Sequence, residues 1–110
     1  MKRTFIQTFE FTKNWERLKL RDDDLRRLEW EILKDPKVGV VVRGTGKLRK
    51  MRFALSNEGK SGSMRVCYVD FASKGTVYLI TIYPKSEKDN LSKEERNNIK
   101  KVIGVLEKSL

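Results

Sequence analysis

The first third of the chain carries the hydrophobic pattern of one strand followed by two helices. Residues 4–9 alternate and are rich in Phe, Ile and Thr, which is typical of a β-strand. A short helix is predicted over residues 13–18. A second helix begins with the acidic run at residues 21–24, whose charges suit the positive N-terminal end of a helix. Its apolar stripe consists of Leu25, Leu28 and Ile32. Asp35 and Pro36 end this helix, because proline disfavours helical backbone at the residue before it.

Three more strands are predicted in the middle of the chain, with glycine-containing turns or loops between them. They cover residues 48–55, 64–71 and 76–83. The last two are apolar at both alternating positions, which indicates that they are central in the sheet. The short apolar segment 38–42 comes before them and is assigned to no element.

The C-terminal segment predicts a helix with a capped start. Ser92 and Glu95 have the spacing of a capping box. The apolar stripe that follows is Ile99, Val102, Ile103, Leu106 and Leu110. The order β-α-α-β-β-β-α predicts an α+β fold in which helices pack on a small, mostly antiparallel sheet. The length of 110 residues, without repeats or linkers, favours a single domain over residues 1–110.

Composition narrows the chemistry that this fold can carry. The chain has one cysteine, Cys67, and no histidine. An internal disulfide is therefore excluded, and a zinc site is disfavoured because Cys and His are the usual ligands. We expect no metal and no cofactor. Cys67 itself is expected to be a small buried side chain. No apolar run is long enough to cross a membrane, and the N-terminus lacks the pattern of a signal peptide, so a cytoplasmic protein is expected.

The positive charge is concentrated in one interior stretch. The formal net charge is +10, and residues 43–65 contain seven Lys or Arg and one acid. Residues 16–37 contain seven bases and seven acids and are neutral. A charge excess in one stretch of a folded domain indicates a site for a polyanionic partner.

The strand at residues 48–55 separates its apolar and basic side chains. Met51 and Phe53 lie on one face, and Lys50 and Arg52 on the other. The two cations are about 7 Å apart, which is near the separation of adjacent phosphates along a nucleic acid strand. The hairpin brings Arg65 close to this pair. The alternative for the cluster is a solvated basic face without a function.

Other candidate residues surround this cluster. Lys47, Arg49 and Lys60 lie around the turns and are candidate RNA contacts, as is Tyr83, for which burial in the core is the alternative. Lys85 and Glu87 follow the last strand, where an ordinary polar loop is the alternative. Trp15 and Trp30 are expected to pack their helices against the rest of the fold.

Three ordered blocks of the sequence resemble the RelE/HigB family of toxins from type II toxin–antitoxin systems. They read GTGKLRKMRFA, GKSGSMRVCYVDF and VYLITIYPKSEKDNLSKEE. The match is closest to the HigB-like branch, and with the N-terminal elements it covers nearly the whole chain. In this resemblance Lys50 and Arg52 match the paired bases of the active-site strand. Arg65 matches the arginine after the hairpin, and Lys85 the lysine after the last strand.

The resemblance implies ribosome-dependent cleavage of mRNA in the decoding site. It also implies contacts with ribosomal RNA and inhibition by a cognate antitoxin, often a helix-turn-helix DNA binder. Two features depart from some relatives: Ser86 stands where several have an arginine, and no tyrosine follows Tyr83. The general acid and base are therefore left open.

A metal-independent mechanism is expected for such a site. The RNA 2′-OH attacks the adjacent phosphate, and Arg52 and Arg65 are assigned to the developing charge. Nearby arginines are expected to favour the neutral amine of Lys50, which is the preferred general base. Glu87 is the competing base, and a salt bridge with Lys85 or Lys88 is the alternative for it.

Two other functions remain possible at this stage. One is a gyrase poison like the ParE branch, which shares the fold and does not require the basic set. The other is a non-catalytic module that binds RNA or the ribosome.

Overall fold

The computed structural model describes residues 2–55 and 63–110 and contains a five-stranded mixed sheet with α-helices on both faces. The strands are β1 (Thr4–Gln7), β2 (Val40–Val41), β3 (Arg49–Ala54), β4 (Ser63–Phe71) and β5 (Thr76–Pro84). The helices are α1 (Phe9–Arg17), α2 (Asp22–Lys34) and α3 (Lys93–Ser109), and a 3-10 turn (Ala72–Lys74) joins β4 to β5. The strand order is β1-β5-β4-β3-β2, with β1 parallel to β5 and the other pairs antiparallel.

One face of the sheet packs against α1 and α2. Phe11 and Trp15 of α1 stack with ring centroids 5.6 Å apart and are buried with Leu28 and Ile32 of α2. The strand side chains in this core are Met51, Phe53, Met64, Val66, Tyr68, Val77, Leu79 and Ile82. Removing this apolar surface from water is the main favourable contribution to the fold.

The opposite face packs against α3. Ile103 of α3 and Leu91 before it are buried with strand residues that include Cys67 and Ile80. Leu48 precedes β3 and is buried in this second core, and Lys50 and Arg52 share its side of the strand by alternation. The C-terminal end of β3 and the N-terminal end of β4 therefore present polar side chains, beyond the part of this face that α3 covers.

The α+β class and the mostly antiparallel sheet are confirmed. The central positions of β4 and β5 and the capping box at the start of α3 are confirmed as well. Segment 38–42 contains an edge strand that the sequence analysis left unassigned, because Val40 and Val41 pair with β3 over two residues only. In addition, α1 begins at Phe9 and not at residue 13, since the Thr8 side chain accepts the Phe11 N–H and caps the helix.

Two aromatic residues on neighbouring helices have different surroundings. Trp15 is buried as expected, whereas Trp30 on α2 is 57% exposed, so its predicted packing role is wrong. In the described part of the chain, no helix has the length and apolar character that a membrane crossing requires.

Candidate active site

An open cleft of about 710 Å³ is lined by residues of β2, β3 and β4, of α2 and of the loop after β5. Four predicted site residues line it, namely Lys50, Arg52, Arg65 and Lys85. We call it the basic cleft. Val38 and Val40 form an apolar part of its wall, and Glu31, Met51, Asp89 and Asn90 complete the lining.

The register of β3 and β4 makes two arginines of the basic cleft direct neighbours across the strands. Arg52 is the direct cross-strand partner of Arg65, and Lys50 lies two residues along the same face of β3. Arg52 is exposed, whereas Arg65 is only 8% exposed and donates to the Ser63 hydroxyl at 3.0 Å. Like charges opposite each other destabilise a sheet. This pair is therefore better explained by an anion that binds between the two guanidinium groups than by support of the fold.

The remaining two cations are positioned by the loop after β5. The backbone N–H of Lys85 donates to the Ser63 carbonyl at 3.1 Å, which keeps Lys85 beside the start of β4. The ammonium of Lys50 donates to the Asn90 side-chain oxygen at 2.8 Å. Asn90 is a site residue that the sequence analysis missed, since nothing in its local sequence signals a contact 40 positions away.

The cations of the basic cleft lack acidic partners among the described residues. None of the four is within ion-pair distance of a carboxylate in residues 2–55 and 63–110. Glu31, one of the two acids in the lining, is already paired with Arg27 at 3.3 Å. The cleft thus carries net positive charge and has the electrostatics of a phosphate site.

Glu87 lies apart from this set. Its carboxylate accepts two hydrogen bonds from Arg17 of α1, at 2.9 and 3.2 Å, and it does not line the basic cleft. The bond to Arg17 holds the pKa of Glu87 below its usual value. The sequence analysis expected a lysine partner as the alternative to catalysis, but the partner is an arginine from α1.

Tyr83 is buried, which is the alternative noted for it. The side chain is 2% exposed, so RNA cannot reach it in this conformation, and the predicted RNA contact is corrected accordingly. Within the described residues its hydroxyl has no hydrogen-bond partner, although the Cys67 thiol lies beside it. Burial raises the pKa of Tyr83 and raises the pKa of Cys67 to about 12. Cys67 is fully buried, as expected.

The other predicted RNA contacts are not brought into the basic cleft. Lys47 pairs with Glu107 of α3, and Arg49 donates to the Gly39 carbonyl at 2.7 Å. Both line a different cleft near the C-terminal end of α3. Lys60 lies outside the described residues. No group of three or more potential metal ligands occurs in the portion of the chain that the structure describes.

The fold and the basic cleft define a small α+β protein with a positively charged cleft, and comparisons with known proteins place it in a family. A family model described as the RelE toxin of the RelE/RelB toxin–antitoxin system matches residues 2–109. The chain therefore belongs to the RelE toxin family and is the toxin component of a toxin–antitoxin system.

A solved structure shows the same fold. It is a mutant of the Escherichia coli toxin RelE in the free state, with a TM-score of 0.57 and 19% sequence identity. The match covers 81% of this chain and 90% of the E. coli chain. Membership of the HigB-like branch stays a prediction.

Proposed function

We propose that this toxin is a metal-independent endoribonuclease that cleaves mRNA on the ribosome. It arrests translation in the cytoplasm and is neutralised by a cognate antitoxin, which we expect to be a helix-turn-helix DNA binder. The observation that carries the proposal is the set of four cations in the basic cleft, none of which has an acidic partner among the described residues.

Phosphate binding is assigned to the two arginines. A scissile phosphate fits between Arg52 and Arg65, which approach it from neighbouring strands. Charge builds on its nonbridging oxygens as the 2′-OH attacks, and fixed guanidinium groups stabilise that charge more than they stabilise the ground state. Arg65 is held by Ser63 and by burial, so little reorganisation is needed. Lys85 adds positive charge beside them.

The proton transfers complete the reaction. Lys50 takes the proton of the 2′-OH as general base, and the new bond from O2′ to phosphorus displaces the 5′ oxygen. The leaving oxygen takes up a proton from water, which gives a 2′,3′-cyclic phosphate and a 5′-OH. Glu87, the competing base, is bound by Arg17 and lies outside the basic cleft, so Lys50 is the base we propose. Its bond to Asn90 fixes the direction of the amine.

The ribosome is expected to supply what the cleft lacks. The chain has no histidine, and among the residues that the structure describes no aromatic side chain lines the basic cleft to stack on a base. Docking between ribosomal RNA surfaces would position the message and align the 2′-OH for attack.

The test compares three reactions of the purified protein: naked mRNA, the same mRNA on programmed ribosomes, and a gyrase supercoiling reaction. Rapid cleavage on ribosomes only is the expected result. Equal cleavage of naked RNA would contradict ribosome dependence, and gyrase inhibition with intact mRNA would replace the proposal with the ParE-like alternative. Binding to ribosomes without any cleavage would leave a non-catalytic module.

A further inference from the structure

A second cleft of about 460 Å³ lies beside the basic cleft and shares Lys50 and Asn90 with it. Arg43 reaches this second cleft from the turn after β2, and Lys93 and Arg96 reach it from the start of α3. We call it the helix cleft. Because two residues line both clefts, their basic linings form one continuous surface.

The charge of the helix cleft is unopposed. No carboxylate is among its lining residues in the described parts of the chain, whereas the cleft that contains Lys47 also contains Asp70 and Glu107. Four cations in one cleft, two of them from α3, repel one another and cost stability. A polyanion that spans the cleft would offset this repulsion.

The cations of the helix cleft are also available for binding. Neither Arg43 nor Lys93 has an ion-pair partner among residues 2–55 and 63–110. Arg96 donates one N–H to the Leu91 carbonyl at 2.7 Å, which orients its guanidinium and leaves other N–H groups for a ligand.

We propose that the helix cleft is a phosphate-binding subsite for the RNA strand that is cut in the basic cleft. This inference rests on the proposed function. The strand continues from the scissile phosphate past Lys50 and Asn90, and its next phosphates lie against Arg43, Lys93 and Arg96. Among the described residues no aromatic side chain lines the helix cleft, so the subsite is assigned to the phosphate backbone and not to stacking on bases.

Length dependence tests the subsite. Fully 2′-O-methylated RNA, which cannot be cleaved, is used as a trinucleotide and as a nonanucleotide, and binding is measured by fluorescence anisotropy over a range of salt concentrations. The variant is Arg43→Ala/Lys93→Ala. The matched control is Lys100→Ala/Lys101→Ala, which removes two exposed charges from α3 that line neither cleft.

The subsite predicts a loss for the long RNA only. For the nonanucleotide, the slope of log affinity against log salt should fall by about 1.4, which is two phosphate contacts at about 0.7 each on a single strand. Its Kd at low salt should rise roughly tenfold. The trinucleotide fills the basic cleft alone, so its Kd for the variant should change by less than about twofold. The Kd of the control variant for the nonanucleotide should also change by less than about twofold.

Several results would overturn the subsite. Equal losses for both RNAs, or an equal loss in the control variant, would mean unspecific attraction. No loss with the nonanucleotide, or no binding by the unaltered protein, would remove the subsite outright. Weaker binding to ribosomes with unchanged oligonucleotide binding would assign the helix cleft to ribosomal RNA. Cleavage of ribosome-bound mRNA is measured in parallel, so that failure of the nuclease and failure of the subsite are distinguished.

Discussion

The basic cleft and helix α2 carry the same kind of charge in opposite surroundings. On α2, Arg26 pairs with Asp23, and Arg27 lies 3.7 Å from Asp24 and 3.3 Å from Glu31. In the basic cleft, none of the four cations has such a partner among the described residues. The α2 arginines are neutralised within their own helix, and those of the cleft are held beside one another across two strands.

This difference shows what net charge alone does not reveal. Pairs three or four residues apart on a helix contribute about 0.2–0.5 kcal/mol each and are an ordinary feature of exposed helices. Adjacent cations on a sheet oppose folding, which favours a binding role for these residues over a structural one. The lack of an acidic partner among the described residues, and not the overall charge of +10, therefore makes the basic cleft the candidate site.

The largest effect is expected at Lys50. Lys50→Ala should lower the rate of mRNA cleavage on ribosomes about 10²- to 10⁴-fold, because a positioned general base contributes about that much. Lys50→Arg should fail as well, since a guanidinium keeps the charge but does not give up its proton. Single-turnover cleavage of ribosome-bound mRNA measures both. Full activity of Lys50→Arg would mean that this position supplies only charge.

The next effect separates the two regions directly. Arg65→Ala should lower cleavage about 10²- to 10³-fold, as expected for the loss of one donor to the developing charge. Arg26→Ala, which removes the same charge from α2, should leave the rate within about twofold, since an exposed pair is worth little. Thermal unfolding of both variants is the control, because Arg65 is largely buried and Arg26 is exposed. Equal loss of cleavage in the two variants would mean that the arginines of the basic cleft and of α2 do not differ in their role.

A smaller effect is expected at Glu87. The pKa of Glu87 is lowered by its bonds to Arg17, so it is a carboxylate at neutral pH, but it lies outside the basic cleft. Glu87→Gln should change cleavage by less than about threefold, because loss of an exposed ion pair is a minor change. The rate is compared with that of Lys50→Ala in the same single-turnover assay. A loss as large as that of Lys50→Ala would make Glu87 the general base.

The smallest effect is expected at Tyr83. Its hydroxyl is buried without a hydrogen-bond partner in the described structure, so Tyr83→Phe removes a polar group that the fold does not satisfy. The free energy of unfolding should stay the same or rise by up to about 1 kcal/mol. Cleavage should stay unchanged. Urea unfolding measures the stability, and the ribosome assay measures cleavage. A large loss of cleavage with unchanged stability would make Tyr83 an RNA contact after all.

The sequence predicted most of the fold because its local patterns agree with one another. Strand alternation separated Lys50 and Arg52 from Met51 and Phe53. Segments with apolar residues on both faces of the strand identified the central strands. The two-residue strand β2 was missed because so short a segment has no period to detect.

The site was less predictable where long-range contacts decide it. Arg17 and Glu87 are bonded to each other although they are 70 positions apart in the sequence. Lys50 and Asn90 are 40 positions apart, and Lys47 and Glu107 are 60 positions apart. None of these pairs has a local signal in the sequence. Tyr83 illustrates the same limit, since a residue at the end of a strand has no pattern that separates a buried ring from an exposed one.

The basic cleft is proposed to promote attack by the RNA's own 2′-OH. An mRNA with a single 2′-deoxy nucleotide at the cleavage position tests this most directly. The modified mRNA and its unmodified counterpart are placed on programmed ribosomes with the toxin, and the product ends are analysed. The unmodified mRNA should yield a 2′,3′-cyclic phosphate and a 5′-OH, and the modified position should not be cut. Cleavage at the 2′-deoxy position would rule out this mechanism, because the nucleophile would then be water and not the RNA.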